Sequence, residues 1–277
     1  AYAWCRRYAR RRDENFTVVS WFLPKELRPH LFALYAFCRC TDDLGDEADG
    51  DRIALLDGWE EELRACFAGR CSRPLFRALG HTVQAFAIPE DLFLRLIESN
   101  RIDQRKTSYE TIDELLSYCR YSAGLVGRMV LHVLGYRDER LLALADATCI
   151  GLQLANFWQD VSVDLGKGRI YLPAADMRRF GYSADELRGG VVNRPFRDLM
   201  RFEVARAAEL FVRGRELERR VDRRVRVDVS LFRLGGEAVL NAIAAADYDV
   251  LSRRPRVSKA RKVSMALLVA ARLRLRL

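Results

Sequence analysis

Apolar residues recur at helical spacing along most of the chain, and the prolines indicate where helices begin. Positions 90 to 172 contain no proline and are rich in Leu, Ala, Arg and Glu, a composition typical of successive helices. No stretch alternates apolar and polar residues between hairpin turns, as a β-sheet would require. No repeat, linker or change in composition marks a domain boundary. The pattern predicts one all-α domain over residues 1–277.

Local signals locate the individual helices. Pro89 lies at one helix start, and Thr111 and Glu114 form a Ser/Thr-x-x-Glu capping box at another. Gly166 and Gly168 are expected to end the central helix. The expected helical blocks are about Leu31–Gly45, a helix opening at Glu90, one opening at Thr111, about Leu141–Asp164, about Pro195–Val225, Leu231–Leu251 and Lys259–Leu277.

Charge, cysteine content and the length of apolar runs indicate the partners and the cellular compartment of the protein. Lys and Arg together number 47 against 38 Asp and Glu, so the formal net charge is +9 and anionic partners are favoured. The seven cysteines lack metal-site spacing and no secretory signal precedes them, which indicates unpaired thiols in the cytoplasm. No uncharged apolar run approaches the roughly 18 residues of a transmembrane helix. The basic residues from Arg253 to Lys262 predict either peripheral contact with the inner membrane face or a solvated surface.

An acidic cluster closes the first expected helix. Asp42 and Asp46 lie four residues apart and Asp43 and Asp46 three apart, so the spacing predicts that their carboxylates share a helix face. Like charges at that spacing repel, and the macrodipole disfavours acids at the carboxyl end of a helix. A bound divalent cation would offset this cost. A solvated acidic helix end is the simpler interpretation of this cluster alone.

A second polar row occurs in the central helix. Asn156, Asp160 and Asp164 follow one another at four-residue intervals, and Gln153 lies a turn earlier on the same side. The surrounding sequence is apolar, and carboxylates there are costly unless they are paired or bound to metal. The two rows together predict several Mg²⁺ ions, because Mg²⁺ combines a few carboxylates with substrate phosphate oxygens.

Two facing carboxylate rows suit the departure of a diphosphate. Mg²⁺ held between them would stabilise the diphosphate as a leaving group, and Arg39 and Arg169 would add fixed positive charge. The carbocation left behind needs a cavity of apolar and aromatic side chains that excludes water. For most aromatic residues of the chain, ordinary core packing is the simpler interpretation.

The ordered set of motifs resembles the squalene and phytoene synthase family. The two acidic rows, residues 118–127 between them and residues 168–173 after them occur in the family's order over nearly the whole chain. Residues 14–24, 156–160 and 248–255 are most similar to the bacterial hydroxysqualene synthase branch. The resemblance implies an all-α isoprenoid-synthase bundle with a central apolar cavity and Mg²⁺ at its mouth. It also implies head-to-head joining of prenyl diphosphates through a cyclopropyl intermediate, which is presqualene diphosphate in the squalene branches.

The resemblance further implies roles for individual residues. His30, His81 and His132 lack paired spacing and are expected outside the site. The expected metal ligands are Asp42, Asp43, Asp46, Asp160 and Asp164, the expected diphosphate-binding residues are Arg39, Asn156, Arg169, Tyr248 and Lys262, and the expected catalytic residues are Tyr35, Tyr121, Gln153 and Gln159.

Two departures from the family pattern bear on the reaction. Gly45 stands where squalene synthases often carry another acid, so one ligand of the first cluster is expected to be missing. Gln159 replaces the Arg that usually precedes the Asp of the second row. An amide can orient a water molecule. We therefore hypothesise that presqualene diphosphate ionises, rearranges and is captured by water as hydroxysqualene, without a nicotinamide cofactor. The alternative for Gln159 is packing against a neighbour.

Two further functions are compatible with the sequence. One is head-to-head condensation of prenyl diphosphates such as farnesyl diphosphate to presqualene diphosphate, squalene or a phytoene-type carotenoid precursor. The other is a basic, non-catalytic helical module on nucleic acid or membrane. No recognition-helix or RNA-binding aromatic signature supports nucleic acid as a partner.

Overall fold

Helices account for all regular secondary structure among residues 1–11 and 23–258, which are the residues described by this computed structural model. A single β-bridge joins Ser108 to Ile170 outside any strand of this part of the chain. The predicted all-α, single-domain fold is therefore confirmed. The helices are α1 Tyr2–Arg10, α2 Arg28–Asp46, α3 Arg52–Phe67, α4 Pro74–Phe86, α5 Glu90–Arg105, α6 Ile112–Cys119, a π-helical turn Arg120–Gly124, α7 Leu125–Val133, α8 Glu139–Gln159, α9 Val161–Gly166, α10 Ala174–Arg179, α11 Ala184–Arg188, α12 Arg194–Arg220 and α13 Arg223–Ala245.

Two apolar cores divide the bundle. The first lies around α2 and α4, where the ring of Phe37 makes edge contacts with Phe76 and Phe93. The second lies around α8 and α12, where the Trp158 indole donates a hydrogen bond to the Glu203 carbonyl at 3.1 Å. Helix α5 contacts α2, the π turn contacts α8, and α5 and the π turn contact each other. These elements span the seam between the cores.

Most helix starts agree with the sequence signals. The Thr111 hydroxyl accepts a hydrogen bond from the Glu114 N–H at 3.3 Å, as expected for an N-cap. The Glu114 carboxylate accepts instead from the N–H of Glu110, so the reciprocal bond of the capping box is displaced by one residue. Asp138 caps α8 by accepting from two backbone N–H groups. The seven cysteines are all free thiols, as predicted.

Some boundaries differ from expectation. The backbone of Asp160 (φ −106°, ψ 15°) interrupts the central helix, so that α8 ends before it and α9 begins after it. The Asp160 N–H still donates to Asn156 at 2.9 Å, and the Asp164 N–H donates to Asp160 at 2.8 Å, which keeps the polar row in register. Helix α13 begins well before the expected Leu231. The expected helix Lys259–Leu277 lies outside the described residues.

Helix α8 is long and apolar enough to cross a membrane by length and composition alone, with a mean hydropathy of 1.3 over its most apolar window. Within the structure, 56% of that window is buried. The helix packs against α7, α12 and α13. Its apolarity is therefore explained by its position in the second core, where a helix is surrounded on most sides.

Glycines allow α12 and α13 to approach α8 closely. A Cβ atom on Gly214 would lie 2.2 Å from Thr148 Oγ1, and one on Gly236 would lie 2.2 Å from Phe211 Cζ and 2.9 Å from Leu152 Cδ2. These distances are far below van der Waals contact. The absence of a side chain at these two positions sets the spacing of the helices that hold the second polar row.

Gly236→Ala is expected to lower the free energy of unfolding by about 1–3 kcal/mol, because the added methyl group overpacks the contact with Phe211. Gly58→Ala in α3 is the matched control, since no atom lies within 4 Å of its new Cβ. That change is expected to stabilise by about 0.5–1 kcal/mol. Urea unfolding measures both values. Equal stability of Gly236→Ala and the wild type would contradict the close packing.

Candidate active site

The two acidic rows line one cavity. Its volume is about 290 Å³, and it lies at the seam between the two cores. Asp42 and Asp46 line it from α2, whereas Asp160 and Asp164 line it from the junction of α8 and α9. The opposite faces of α2 and α8 are buried in the first and the second core. Core packing therefore directs the four carboxylates toward a common space. The other predicted residues in the lining are Arg39, Gln153, Asn156 and Arg169.

Helix α5 adds an acid that the sequence analysis missed. Asp103 lines the cavity and accepts hydrogen bonds from the hydroxyls of Tyr118 at 2.5 Å and Tyr171 at 3.4 Å. Burial raises the pKa of Asp103 to about 6. The available signal was its spacing of three residues from Asn100, which lines the same cavity. The lining residues that were not predicted as site residues also include Ser99, Ser122 and Lys167.

Stacked aromatic rings form one wall of the cavity. The ring of Tyr171 stacks on Phe157 with 3.7 Å between centroids and also lies parallel to Tyr118 at 6.3 Å. All three residues line the cavity and belong to the second core or pack against it. Electron-rich ring faces attract a nearby cation. The wall therefore offers carbocation stabilisation next to the acidic rows.

Basic side chains are paired with one acid of each row. Arg169 Nη1 donates to Asp46 Oδ1 at 2.7 Å, and Lys167 Nζ lies 3.5 Å from Asp46 Oδ2. Arg254 donates to both carboxylate oxygens of Asp160, at 3.0 Å from Nη2 to Oδ2. Positive charge therefore lies close to both rows.

A sharp turn brings Arg169 to the cavity. Gly168 has a φ of 76°, a conformation that glycine adopts without strain, and the Arg169 N–H donates to the Asp164 carbonyl at 2.9 Å. The Ile170 N–H then donates to the Thr107 carbonyl at 2.7 Å, which fixes the segment after α9 to the end of α5. The side chain of Arg169 is only 10% exposed.

The remaining acids have perturbed ionisation. Burial raises the pKa of Asp42 to about 7, and burial together with the adjacent Asp160 raises the pKa of Asp164 to about 7. A divalent cation would relieve both the burial cost and the mutual repulsion, so this donor set fits Mg²⁺. No three His, Cys, Asp or Glu side chains among the described residues converge as a ready metal site. Phosphate oxygens and water would therefore complete the coordination, as Mg²⁺ prefers.

Asp43 lies apart from the other acids of its cluster. It accepts a hydrogen bond from the Tyr8 hydroxyl and pairs with Arg39 Nε at 2.9 Å. It lines a different, largely apolar cavity of about 550 Å³ between α1, α2 and α3. Successive residues of a helix are rotated by about 100°, which turns Asp43 away from the face of Asp42 and Asp46. Asp43 therefore does not share the cavity of Asp42 and Asp46, contrary to the prediction of one common face.

Three predicted tyrosines do not line the acidic cavity. Tyr121 lies in the π turn with the guanidinium of Arg95 5.8 Å from its ring centroid. Tyr248 has a φ of 60°, and Arg201 lies 4.9 Å from its ring centroid. Tyr35 lies on α2 one turn before Arg39 and is likewise not in the lining. The histidines are also outside it, as expected, and Lys262 falls outside the described residues.

Gln159 is held by the segment after α13. Its side chain is 0% exposed, its Nε2 donates to the Pro255 carbonyl at 2.7 Å, and its Oε1 accepts from Arg254 Nη2 at 3.3 Å. It does not line the acidic cavity. This geometry supports the packing alternative and not the hypothesis that Gln159 orients a water molecule.

Asn100 fills the space beside Gly45. A Cβ atom on Gly45 would lie 2.6 Å from Asn100 Oδ1, and the Gly45 carbonyl accepts a hydrogen bond from Gln104 at 2.9 Å. Asn100 Nδ2 in turn donates to Asp42 at 3.4 Å. An additional acid at position 45 would displace Asn100, so the amide occupies the place of the expected missing ligand.

Comparisons with known proteins agree with this geometry. The squalene/phytoene synthase family model matches residues 9–261. The solved squalene synthase HpnC from Alicyclobacillus acidocaldarius is 51% identical, with a TM-score of 0.85 over 90% of this chain and 94% of that one. A solved dehydrosqualene synthase in complex with ligand is 28% identical, with a TM-score of 0.91 over 99% of this chain and 96% of that one.

Curated relatives include phytoene synthases from bacteria and plants. The phytoene synthase of Arthrospira platensis is 32% identical over 295 residues, covering 100% of this chain and 94% of that protein. Phytoene synthase 3, chloroplastic, of Zea mays is 35% identical over 271 residues and 95% of this chain. The chain spans 62% of the length of the Zea mays protein.

Asp103→Asn is expected to change the pH dependence of stability in buffer without divalent metal. The wild-type carboxyl has a pKa of about 6 when folded, above its value in the unfolded chain, so its stabilising contribution is lost as pH rises through 6. Between pH 4.5 and 7.5, the wild type should lose about 2 kcal/mol of unfolding free energy relative to the variant. Urea unfolding measures this difference. Asp49→Asn, an exposed control, should follow the wild type, and parallel curves for wild type and Asp103→Asn would contradict the burial of this carboxyl.

Proposed function

The chain is an enzyme of the squalene/phytoene synthase family, and on that basis we propose that it converts presqualene diphosphate to hydroxysqualene with Mg²⁺. The family acts on prenyl diphosphates such as farnesyl diphosphate and generally depends on a divalent metal. The single observation that supports the chemistry best is the pair of acidic rows on opposite sides of one buried cavity, with an aromatic wall between them. Identity of 51% to the squalene synthase HpnC favours the squalene branch.

Ionisation of the diphosphate requires charge stabilisation at the polar end of the cavity. Asp42 and Asp46 on one side, and Asp160 and Asp164 on the other, would hold Mg²⁺, which when bound neutralises the developing charge of the diphosphate. Arg39, Lys167 and Arg169 line the same cavity and would donate to phosphate oxygens. Gln153 and Asn156 add neutral amide donors to this end.

The carbon skeleton lies against the aromatic wall in this proposal. Cleavage of the C–O bond leaves both bonding electrons on the diphosphate and a carbocation on the cyclopropylcarbinyl skeleton. Tyr118, Phe157 and Tyr171 line the cavity, and the π electrons of their stacked rings would stabilise this cation during rearrangement. Water then adds through an oxygen lone pair and loses a proton, so the reaction needs no hydride donor and no nicotinamide cofactor.

A second candidate is head-to-head condensation of two prenyl diphosphates. The phytoene synthases at 32–35% identity favour it, because they align over 95% or more of this chain. The same acids and basic residues would serve that reaction, which begins with the same departure of diphosphate. Contact with the inner membrane face is a separate prediction. It is supported by the positive charge of Arg253, Arg254 and Arg256, which line a surface groove beside α13.

The decisive experiment incubates the enzyme with presqualene diphosphate and Mg²⁺ without NADPH, and identifies products by mass spectrometry. Hydroxysqualene is the expected product. Asp160→Asn and Asp164→Asn should each lower turnover by about 10²–10³, because a charge that stabilises the departing diphosphate is lost. Glu61→Gln, which removes an exposed acid of α3, should leave turnover unchanged.

Other products would overturn the proposal. If presqualene diphosphate stays unreacted, and a parallel incubation with farnesyl diphosphate as the only substrate shows its consumption, the condensation reaction would be favoured. Full activity of both aspartate variants, checked for folding by circular dichroism, would contradict the role of the acidic rows in either reaction.

A further inference from the structure

The π turn Arg120–Gly124 places an unusual hydroxyl group in the wall of the acidic cavity. Ser122 lines the cavity, and its Oγ is buried without a hydrogen-bond partner among the described residues. A buried hydroxyl that makes no hydrogen bond costs free energy comparable to a lost hydrogen bond. Such a group in a cavity is suited to hold a polar molecule.

The backbone explains why Ser122 differs from other hydroxyl residues of the helices. A serine or threonine in an α-helix commonly donates to the carbonyl three or four residues earlier. π-helical hydrogen bonds span five residues, and such turns occur frequently at functional sites. The hydroxyls that donate to their own helix in the usual way are Thr41, Thr82, Ser99, Ser117 and Thr148.

Ser99 offers a direct comparison. It lines the same cavity from α5, but its Oγ donates to the Leu96 carbonyl at 2.7 Å. Its hydrogen-bonding capacity is thus partly used by the helix. Of these two serines, Ser122 is the one whose hydroxyl is available to a molecule in the cavity.

The position of Ser122 is appropriate to the capture step. It lies four residues after Tyr118, whose ring belongs to the aromatic wall, and the π turn packs against α8, which carries Asn156 and Phe157. A water molecule at Ser122 would therefore lie beside the rings that stabilise the carbocation. A serine hydroxyl can accept a hydrogen bond from this water and direct an oxygen lone pair toward carbon.

We infer that Ser122 is a positioning residue that holds the water captured in hydroxysqualene formation. The inference rests on the proposed function and assigns to Ser122 the role that Gln159 does not have the geometry to fill. The water oxygen forms the new C–O bond with its lone pair, and its proton passes to an oxygen of the released diphosphate. The ionisation step, in which diphosphate leaves, does not involve Ser122.

The test separates ionisation from capture. With presqualene diphosphate and Mg²⁺, Ser122→Ala is expected to release diphosphate within about twofold of the wild-type rate, because the acidic rows are intact. The yield of hydroxysqualene per diphosphate released should fall on the order of tenfold, the effect of one lost hydrogen bond, with hydrocarbons formed by proton loss replacing it. Ser122→Thr keeps the hydroxyl and should restore the alcohol. Ser99→Ala is the matched control and should give the wild-type product ratio.

The possible failures are distinguishable. If the wild-type enzyme releases no diphosphate from presqualene diphosphate, the proposed function is wrong. If the wild type makes hydroxysqualene and Ser122→Ala makes it in the same ratio to diphosphate, the inference is wrong and the proposed function stands. Equal loss of diphosphate release and alcohol in Ser122→Ala would also overturn the inference, since it would indicate a structural or ionisation role.

Discussion

The site depends on the cost of placing opposed carboxylates in a buried seam between two apolar cores. Each core fixes one row, since α2 is anchored in the first core and α8 in the second. Burial and mutual repulsion raise the pKa values of Asp42 and Asp164 to about 7. The ionised forms of these buried carboxylates are therefore unfavourable, and nearby positive charge stabilises them. Basic side chains supply that charge at Asp46 and Asp160, and a divalent cation that also binds phosphate would supply it throughout.

The pairing of Asp160 shows how a distant segment contributes to this balance. Arg254 lies 94 residues away in sequence and reaches both Asp160 oxygens, while Gln159 binds Arg254 and the adjacent Pro255 carbonyl. A cationic side chain at position 159 would repel Arg254, because Gln159 Oε1 lies only 3.3 Å from Arg254 Nη2. The neutral amide accepts from the guanidinium instead. The departure of Gln159 from the family pattern thus has a structural meaning: it lets the segment after α13 supply the positive charge beside the second row.

The parts of the site that the sequence predicted are those governed by helical periodicity. Asp42 with Asp46, and Asn156 with Asp160 and Asp164, reach the same cavity because residues four apart share a helix face. Asp43 differs because it is rotated by about 100° from Asp42, although it lies only three residues from Asp46. The spacing of Asp103 from Asn100 indicates a shared helix face, but whether that face reaches the cavity depends on how α5 crosses the seam. The sequence position of Gln159 next to Asp160 predicts a site residue, but a hydrogen bond to the Pro255 carbonyl directs its side chain elsewhere.

In the proposed function, ionisation and the fate of the cation depend on different groups, which would allow one cavity to serve several reactions of the family. In that proposal the acidic rows and the basic side chains act on the diphosphate, and the carbon skeleton lies against other groups. The fate of the cation would then depend on the groups that border the aromatic wall, among which the buried Ser122 hydroxyl has no hydrogen-bond partner in the described part of the chain. Ser122 lies in the π turn, whereas Tyr118 lies in the preceding α6 and donates its hydroxyl to Asp103, so a local change of helical type separates the two groups. On this inference, a change at Ser122 would alter the product while the ion pairs of Asp46 and Asp160 with basic side chains remain.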